Sequence, residues 1–146
     1  MTARRFSVLG LPAPQGSKTH IGNGRMVESS KRVKPWRRQV AAAYRDHDFG
    51  DMLDGPVSVT VNFYLPRPKS HYGTGRNAGA LKPSAPAEHL TMPDLDKLTR
   101  AVGDALTRLA WRDDSQIVAW HAYKHYATTT TPVGAQITIQ EVMPNV

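Results

Sequence analysis

Hydrophobic and polar residues alternate in several short segments of the chain, and this period of two predicts strands. The clearest case is residues 55–66, where valine or phenylalanine repeatedly occupies every second position. Residues 5–11, 115–127 and 134–142 have the composition of further strands. Glycines and basic residues at 15–33 indicate a loop or hairpin after the first strand.

Two other segments carry apolar residues at helical spacing. Within residues 34–47, Trp36, Val40 and Ala43 lie on one face, and Pro35 suits the first helical position. From about 96 to 110, leucine, valine and alanine form a second stripe at mainly three- and four-residue spacings. The predicted order is therefore strand, helix, strand, helix and two strands.

This order predicts an α+β fold, in which two main helices pack on a small mixed β-sheet. A length of 146 residues fits a single domain over 1–146. Residues 66–92 interrupt the regular pattern with proline and glycine and predict a long mobile loop. Because such a loop is unusual in a small domain, it is either a functional segment or an undirected linker.

Composition narrows the class of protein. The chain has no cysteine, which excludes disulfides and thiolate metal sites. No apolar run approaches the ~20 residues that span a bilayer, so no membrane segment is expected. The apolar run near the N-terminus is too short for a signal peptide, and we expect a soluble, intracellular protein.

The formal net charge of +7 is unevenly distributed. Residues 1–50 hold 10 Lys and Arg against 3 Asp and Glu, whereas residues 92–146 hold 5 against 6. A basic first third beside an acidic cluster indicates a polyanionic partner and a separate cation site. The candidates for contacts with DNA phosphates are Lys18, Arg25, Lys31, Arg32, Lys34, Arg37, Arg38, Arg67, Lys69, Arg76, Lys82 and Lys97.

Asp94 and Asp96 form a pair of carboxylates directly after Pro93, at the start of the second predicted helix. Aspartates at helix starts commonly satisfy unpaired N–H groups and oppose the helix dipole. Carboxylates that converge at one point also hold divalent cations. Both interpretations, a helix cap and a metal site, fit this pair.

Further charges continue along this helix and beyond its end. Arg100 lies four residues after Asp96, a spacing typical either of ion pairing or of a cation that braces a phosphate. Asp104 is expected to pair with Arg100 or Arg108. Beyond the helix, residues 113–114 are a second aspartate pair, of which the first is either a metal ligand or a structural cap.

The predicted length of this helix separates the two pairs of carboxylates. A helix from about 96 to 110 rises about 22 Å at ~1.5 Å per residue. Asp114 is therefore expected to lie far from Asp94 and Asp96 within one chain. A two-fold dimer with antiparallel helices would join the start of one helix to the end of the other, forming two composite sites.

The segments "PDLDKLTRAVGDAL" and "WRDDSQI" resemble the core signature of the RusA family of Holliday junction resolvases. Asp94 and Asp96 match the paired aspartates of the family pattern D-L-D-N-x-x-K. The family's D-A-L begins at Asp104, and its D-D-x-Q segment begins at Asp113.

The resemblance implies a RusA-like homodimer that cuts four-way DNA junctions in paired, symmetric strands with Mg²⁺, for which Mn²⁺ substitutes. It implies Asp94, Asp96 and Asp114 as the catalytic carboxylates, which we expect to be the metal ligands, whereas Asp113 stays either a further ligand or a cap. It also implies the cytoplasm of a bacterium or of a phage-infected host.

The chain departs from the family pattern at two positions. The family's asparagine is Lys97 here, and its lysine is Arg100. Arginine braces a phosphate as well as lysine does, so we assign this electrostatic catalytic role to Arg100 and keep Lys97 as the alternative.

Two other functions fit the same residues. One is a broader nuclease that acts on forks or flaps. The other is a non-catalytic basic DNA-binding protein whose acidic residues only cap and pair. Metal-dependent cleavage of branched DNA separates an enzyme from a binder.

Overall fold

The computed structural model describes residues 3–16, 18–20, 26–28 and 31–143, with 18–20 and 26–28 described by their backbone alone. No helix in these ranges is long and apolar enough to cross a membrane. The regular elements within these residues are β1 (Arg4–Leu9), β2 (Lys18–His20), β3 (Met26–Glu28), α1 (Val33–Asp46), β4 (Val57–Leu65), α2 (Leu95–Leu106), β5 (Ile117–Tyr126) and β6 (Gly134–Glu141).

Four strands form a mixed sheet in the order β1-β6-β4-β5. β6 is antiparallel to both of its neighbours, whereas β4 and β5 are parallel, so the loop and α2 between them form a crossover. β2 and β3 pair separately as a hairpin, in agreement with the loop or hairpin predicted there. The predicted α+β fold, a small mixed sheet with two helices, is confirmed.

The hydrophobic core lies between the sheet and the two helices. β4 buries every second side chain, as its alternating sequence predicts. Trp36, Val40 and Tyr44 form the buried face of α1, and Leu98 and Leu106 belong to that of α2. Each fully buried side chain of this size contributes ~1.5–3 kcal/mol. The helices contact each other, and α2 also contacts β5, which fixes its position beside the edge of the sheet.

The segment between β4 and α2 is a long loop with short pieces of local structure. It contains 3₁₀ turns at Lys69–His71 and Gly75–Asn77. An isolated bridge joins Tyr72 to Leu81 and folds the loop back on itself. The mobility of this loop stays a prediction.

Candidate functional site

A cleft of about 260 Å³ lies between α2 and the start of β5. Asp96 and Arg100 line it from α2, and Asp114 lines it from the turn that precedes β5. Three of the four residues predicted to be catalytic therefore meet in one cleft. The fourth, Asp94, lies outside this lining, directly before the helix.

Helical spacing explains why α2 presents these charges together. Arg100 follows Asp96 by about one turn, and Gly103 and Asp104 follow on the same side. A Cβ atom on Gly103 would lie 3.4 Å from Cζ2 of Trp120, an ordinary van der Waals distance, so the indole packs directly beside the helix at this position. The tryptophan thereby forms the β5 side of the cleft.

Asp94 occupies the N-cap position of α2, but its side chain makes no capping hydrogen bond. Its carboxylate instead lies 3.9 Å from the Lys97 ammonium, and its side chain is 56% exposed. Asp94 thus occupies the N-cap position, but its side chain does not cap the helix. The carboxylate of Asp94 remains accessible to a ligand.

The chain reverses direction after α2, and this corrects the expected separation of the carboxylates. The helix is shorter than predicted, and Arg108 just beyond it adopts the left-handed conformation (φ 70°) that often ends helices. Trp111 then anchors the turn, because it is fully buried and its Nε1 donates to Thr107 Oγ1 at 3.1 Å. The prediction that one chain keeps Asp114 far from Asp96 is therefore wrong, since both line one cleft.

Asp113 is a structural cap in this arrangement. Its carboxylate accepts a hydrogen bond from the backbone N–H of Ser115 at 2.8 Å, and Gln116 Oε1 accepts one from the Asp113 N–H at 3.0 Å. Hydrogen bonds lower the pKa of Asp113 below its usual value. The largest effect comes from the backbone N–H of Ser115, followed by the Ser115 hydroxyl and the Asp114 side chain. These contacts favour the cap over the ligand interpretation.

Gln116 fixes the turn that carries Asp114. Its Nε2 donates to the carbonyl oxygens of Leu53 and Gly55 at 2.8 and 2.9 Å. Its Oε1 accepts hydrogen bonds from the backbone N–H groups of Arg112 and Asp113. This positioning role was missed at the sequence level, although the glutamine belongs to the D-D-x-Q segment.

Replacing Gln116 with alanine is expected to lower the free energy of unfolding by ~2 kcal/mol, because carbonyl and N–H groups lose their partners. Urea unfolding measures this change. Gln140→Ala provides the matched control, since Gln140 is exposed on β6. Equal stability of the two variants would contradict the assigned role.

A row of cations lies on α1, next to the cleft. Lys34, Arg38 and Arg45 recur on one face at one- and two-turn intervals, and together with Arg37 they line a surface hollow of about 330 Å³. Arg37 Nη1 lies 3.7 Å from Asp104 Oδ2, which connects this row to the cleft. The sequence prediction considered partners for Asp104 only within its own helix and missed this contact.

The other candidates for DNA contacts differ in their surroundings. Arg67 lies over the ring of Tyr126, with 4.0 Å from Cζ to the ring centroid, and Lys97 pairs with an aspartate. Lys18 is described by its backbone alone, and Arg25 lies outside the described residues. The remaining candidates are exposed: Lys31, Arg32, Lys69, Arg76 and Lys82.

The cleft has the donor chemistry of a site for a hard divalent cation. Asp96 and Asp114 offer carboxylate oxygens, which Mg²⁺ prefers, and this ion is commonly held by one or two carboxylates, with waters and substrate phosphates completing its shell. Among the described residues, no three His, Asp or Glu side chains are grouped closely enough to hold one ion. The two carboxylates therefore fit Mg²⁺ as part of a shell that other oxygen atoms complete.

A carboxylate cleft beside a row of cations is typical of proteins that act on phosphodiester polyanions. Comparison with known families agrees, because the family described as "Endodeoxyribonuclease RusA" matches residues 10–140. The chain belongs to the RusA endodeoxyribonuclease family, a family of nucleases.

A similar curated protein comes from Bacillus subtilis (strain 168), where it is described as "Uncharacterized protein YqaN". The two sequences are 32% identical over 134 residues, which cover 87% of this chain and 90% of the relative. The similarity thus extends over nearly the whole of both chains.

Proposed function

We propose that this protein is a Mg²⁺-dependent, structure-specific endodeoxyribonuclease that resolves four-way DNA junctions by paired, symmetric phosphodiester hydrolysis. The observation that carries the proposal is the cleft in which Asp96 and Asp114 meet Arg100. Membership of the RusA family supports DNA hydrolysis as the reaction. The net charge of +7 supports a nucleic-acid partner.

The catalytic residues in this proposal are Asp94, Asp96, Asp114 and Arg100. Asp96 and Asp114 would hold the cation, and the exposed carboxylate of Asp94, which lies outside the cleft lining, would have to turn toward them to act as a third ligand. Bound Mg²⁺ supplies Lewis-acid stabilisation of charge on the scissile phosphate and lowers the pKa of water, and Mn²⁺ is expected to replace it. Arg100 donates hydrogen bonds to a phosphate oxygen and thereby holds the strand against the carboxylates.

The cation row on α1 guides the DNA backbone toward this cleft. Lys34, Arg38 and Arg45 contact successive phosphates, which gives affinity without sequence information. Arg37 lies where the row meets the cleft, through its ion pair with Asp104. The exposed cations of the long loop extend the same electropositive surface.

A homodimer would relate two such clefts by a two-fold axis, and paired symmetric cuts require two clefts. Support comes from β5, an edge strand on which Val118 and Trp120 are 61% and 37% exposed. Lys124 of the same strand donates to the backbone of a segment in which Leu90 and Met92 are 78% and 80% exposed. Exposed apolar side chains beside an unpaired strand edge are typical of an interface.

Arg100→Ala is expected to slow cleavage by about 10- to 100-fold, because a charge-assisted hydrogen bond to the phosphate contributes ~1.5–3 kcal/mol. Arg100→Lys should retain most of the rate. Lys97→Ala should change the rate little, since Lys97 already pairs with the exposed Asp94. Single-turnover cleavage rates measure all three. Full activity of Arg100→Ala together with loss in Lys97→Ala would transfer the role to Lys97.

Cleavage of four substrates tests the proposed specificity. Synthetic four-way junction, fork, flap and linear duplex DNA are each incubated with protein and either Mg²⁺ or Mn²⁺. The proposal expects paired cuts in the junction at symmetric positions and little cleavage of linear duplex. Preference for forks or flaps would make the protein a broader branched-DNA nuclease. Binding without any metal-dependent product would make it a DNA-binding protein.

A further inference from the structure

A second cavity, of about 400 Å³, is lined in part by the segment that leads into α2. Its walls include five prolines and the buried Leu65 side chain, so they are largely apolar and stiff: Pro12, Pro14, Pro66, Pro68 and Pro93. The exposed Arg32 contributes a cation to the lining. A volume of this size falls within the range of pockets that bind small organic groups.

His89 lines this apolar cavity and is only 8% exposed. Its Nδ1 atom is fully buried and has no hydrogen-bond partner among the described residues. Burial, and then the charge of Lys124, lower the pKa of His89, which favours the neutral ring with one donor and one acceptor nitrogen. A buried polar group without a partner destabilises a fold, and the fold keeps such a group beside the cavity.

Several side-chain contacts hold the wall of the cavity, which leads in sequence into Asp94. The ring of Tyr126 packs against His89, with centroids 4.9 Å apart, and Arg67 covers the same tyrosine. Lys124 Nζ donates to the carbonyl oxygens of Thr91 and Pro93 at 2.9 and 3.1 Å, which holds the cavity wall. Asp94 directly follows Pro93 of this wall, so the cavity is formed in part by the residues that lead into the catalytic segment.

We propose that this cavity, where His89 interrupts a proline-lined apolar wall beside Arg32 and the segment leading to Asp94, receives an unpaired nucleobase of the branched DNA substrate. A nucleobase is flat and apolar on its faces, which matches the proline walls. Its edge carries donors and acceptors, which match a neutral imidazole. The cation of Arg32 complements the phosphate attached to that nucleotide.

The inference rests on the proposed function and explains how one strand is held for cutting. A base placed in the cavity is removed from the stack, so its phosphate is fixed relative to the carboxylates that begin at Asp94. An unstacked base is available at the branch point of a junction at lower cost than within a duplex.

The test uses a four-way junction that carries 2-aminopurine at single positions around the branch point, with the full-length protein in EDTA. Because 2-aminopurine fluoresces more strongly when unstacked, wild-type protein should raise the signal at one position on each symmetric strand. Thr91→Phe places an aromatic ring in the cavity from an exposed position. It should reduce the unstacked population about tenfold, the order of stabilisation that base stacking on a side chain provides.

Two further variants separate recognition from folding. His89→Phe removes the unpaired nitrogen, so it should raise the Tm while lowering the fluorescence signal, whereas a purely structural histidine would change the Tm alone. Thr129→Phe on the exposed loop after β5 is the matched control and should leave the signal unchanged.

An unchanged signal in both Thr91→Phe and His89→Phe overturns the inference. So does a wild-type signal that is absent at every labelled position. If Thr91→Phe converts a dimer to a monomer in sedimentation, the cavity belongs to a subunit interface and the inference fails.

Cleavage of unlabelled junction with Mg²⁺ is measured in parallel. Absence of cleavage by wild type rejects the proposed function. Normal cleavage with no fluorescence change rejects only the proposed role of the cavity.

Discussion

Asp96→Asn is expected to cleave a four-way junction about a thousandfold more slowly than wild type, because a cation ligand that supports several kcal/mol of charge stabilisation is lost. Binding of the uncleaved junction in EDTA should stay within about twofold, since asparagine preserves the shape of the side chain and Asp96 is not one of the cations that contact phosphates. Single-turnover rates with Mg²⁺ and gel-shift affinities measure the two quantities. Asp51→Asn, at an exposed bend before β4, is the matched control.

The same substitution shows whether each cleft belongs to one chain. Asp96 and Asp114 line the same cleft of one chain, so a mixture of Asp96→Asn and Asp114→Asn proteins should remain inactive. In a mixed dimer, each cleft would then contain one altered residue. Restored cleavage on mixing would show that the two aspartates act from different subunits, as the helix-length hypothesis expected.

Removing the α1 cation row by Lys34→Ala, Arg38→Ala and Arg45→Ala is expected to weaken junction binding strongly and to change its dependence on salt. The slope of log K against log salt is negative, and each lost phosphate contact reduces its magnitude by about 0.9. The triple variant should therefore have a slope smaller in magnitude by about 2.7. Thermal stability should change little, because all three side chains are exposed. Fluorescence anisotropy at several salt concentrations measures the slope.

The control for the cation row removes charge elsewhere. Arg5→Ala with Arg112→Ala alters exposed cations that lie outside α1, on β1 and on the turn before β5. Their loss should leave the slope nearly unchanged. Equal loss of slope in the control and in the row variant would mean that net charge, and not this row, determines binding.

Local patterns predicted the elements of the fold because burial of one face is a local property. Alternation along β4 and the helical stripe of α1 both correspond to side chains that are buried in the structure. The meeting of Asp96 and Arg100 on one face of α2 also follows from helical spacing alone. The order of elements then restricted the fold to a sheet with helices packed on it.

Features that depend on long-range contacts were not predictable in this way. The reversal after α2 depends on the left-handed Arg108 and on burial of Trp111, and no periodicity indicates either. The contact between Arg37 and Asp104 joins two helices, whereas spacing rules compare residues within one helix. The cavity around His89 is formed by distant proline-rich segments, which have no regular pattern.

We propose that the cleft between α2 and β5 cuts branched DNA with the help of a divalent cation. The most direct measurement incubates wild-type protein and Asp96→Asn with an end-labelled four-way junction, with and without Mg²⁺, and maps the products on a denaturing gel. We expect symmetric cuts by wild type with Mg²⁺ and no detectable product from the variant, which still binds. Equal cleavage by both proteins, or binding by wild type with no product in any metal, would contradict it.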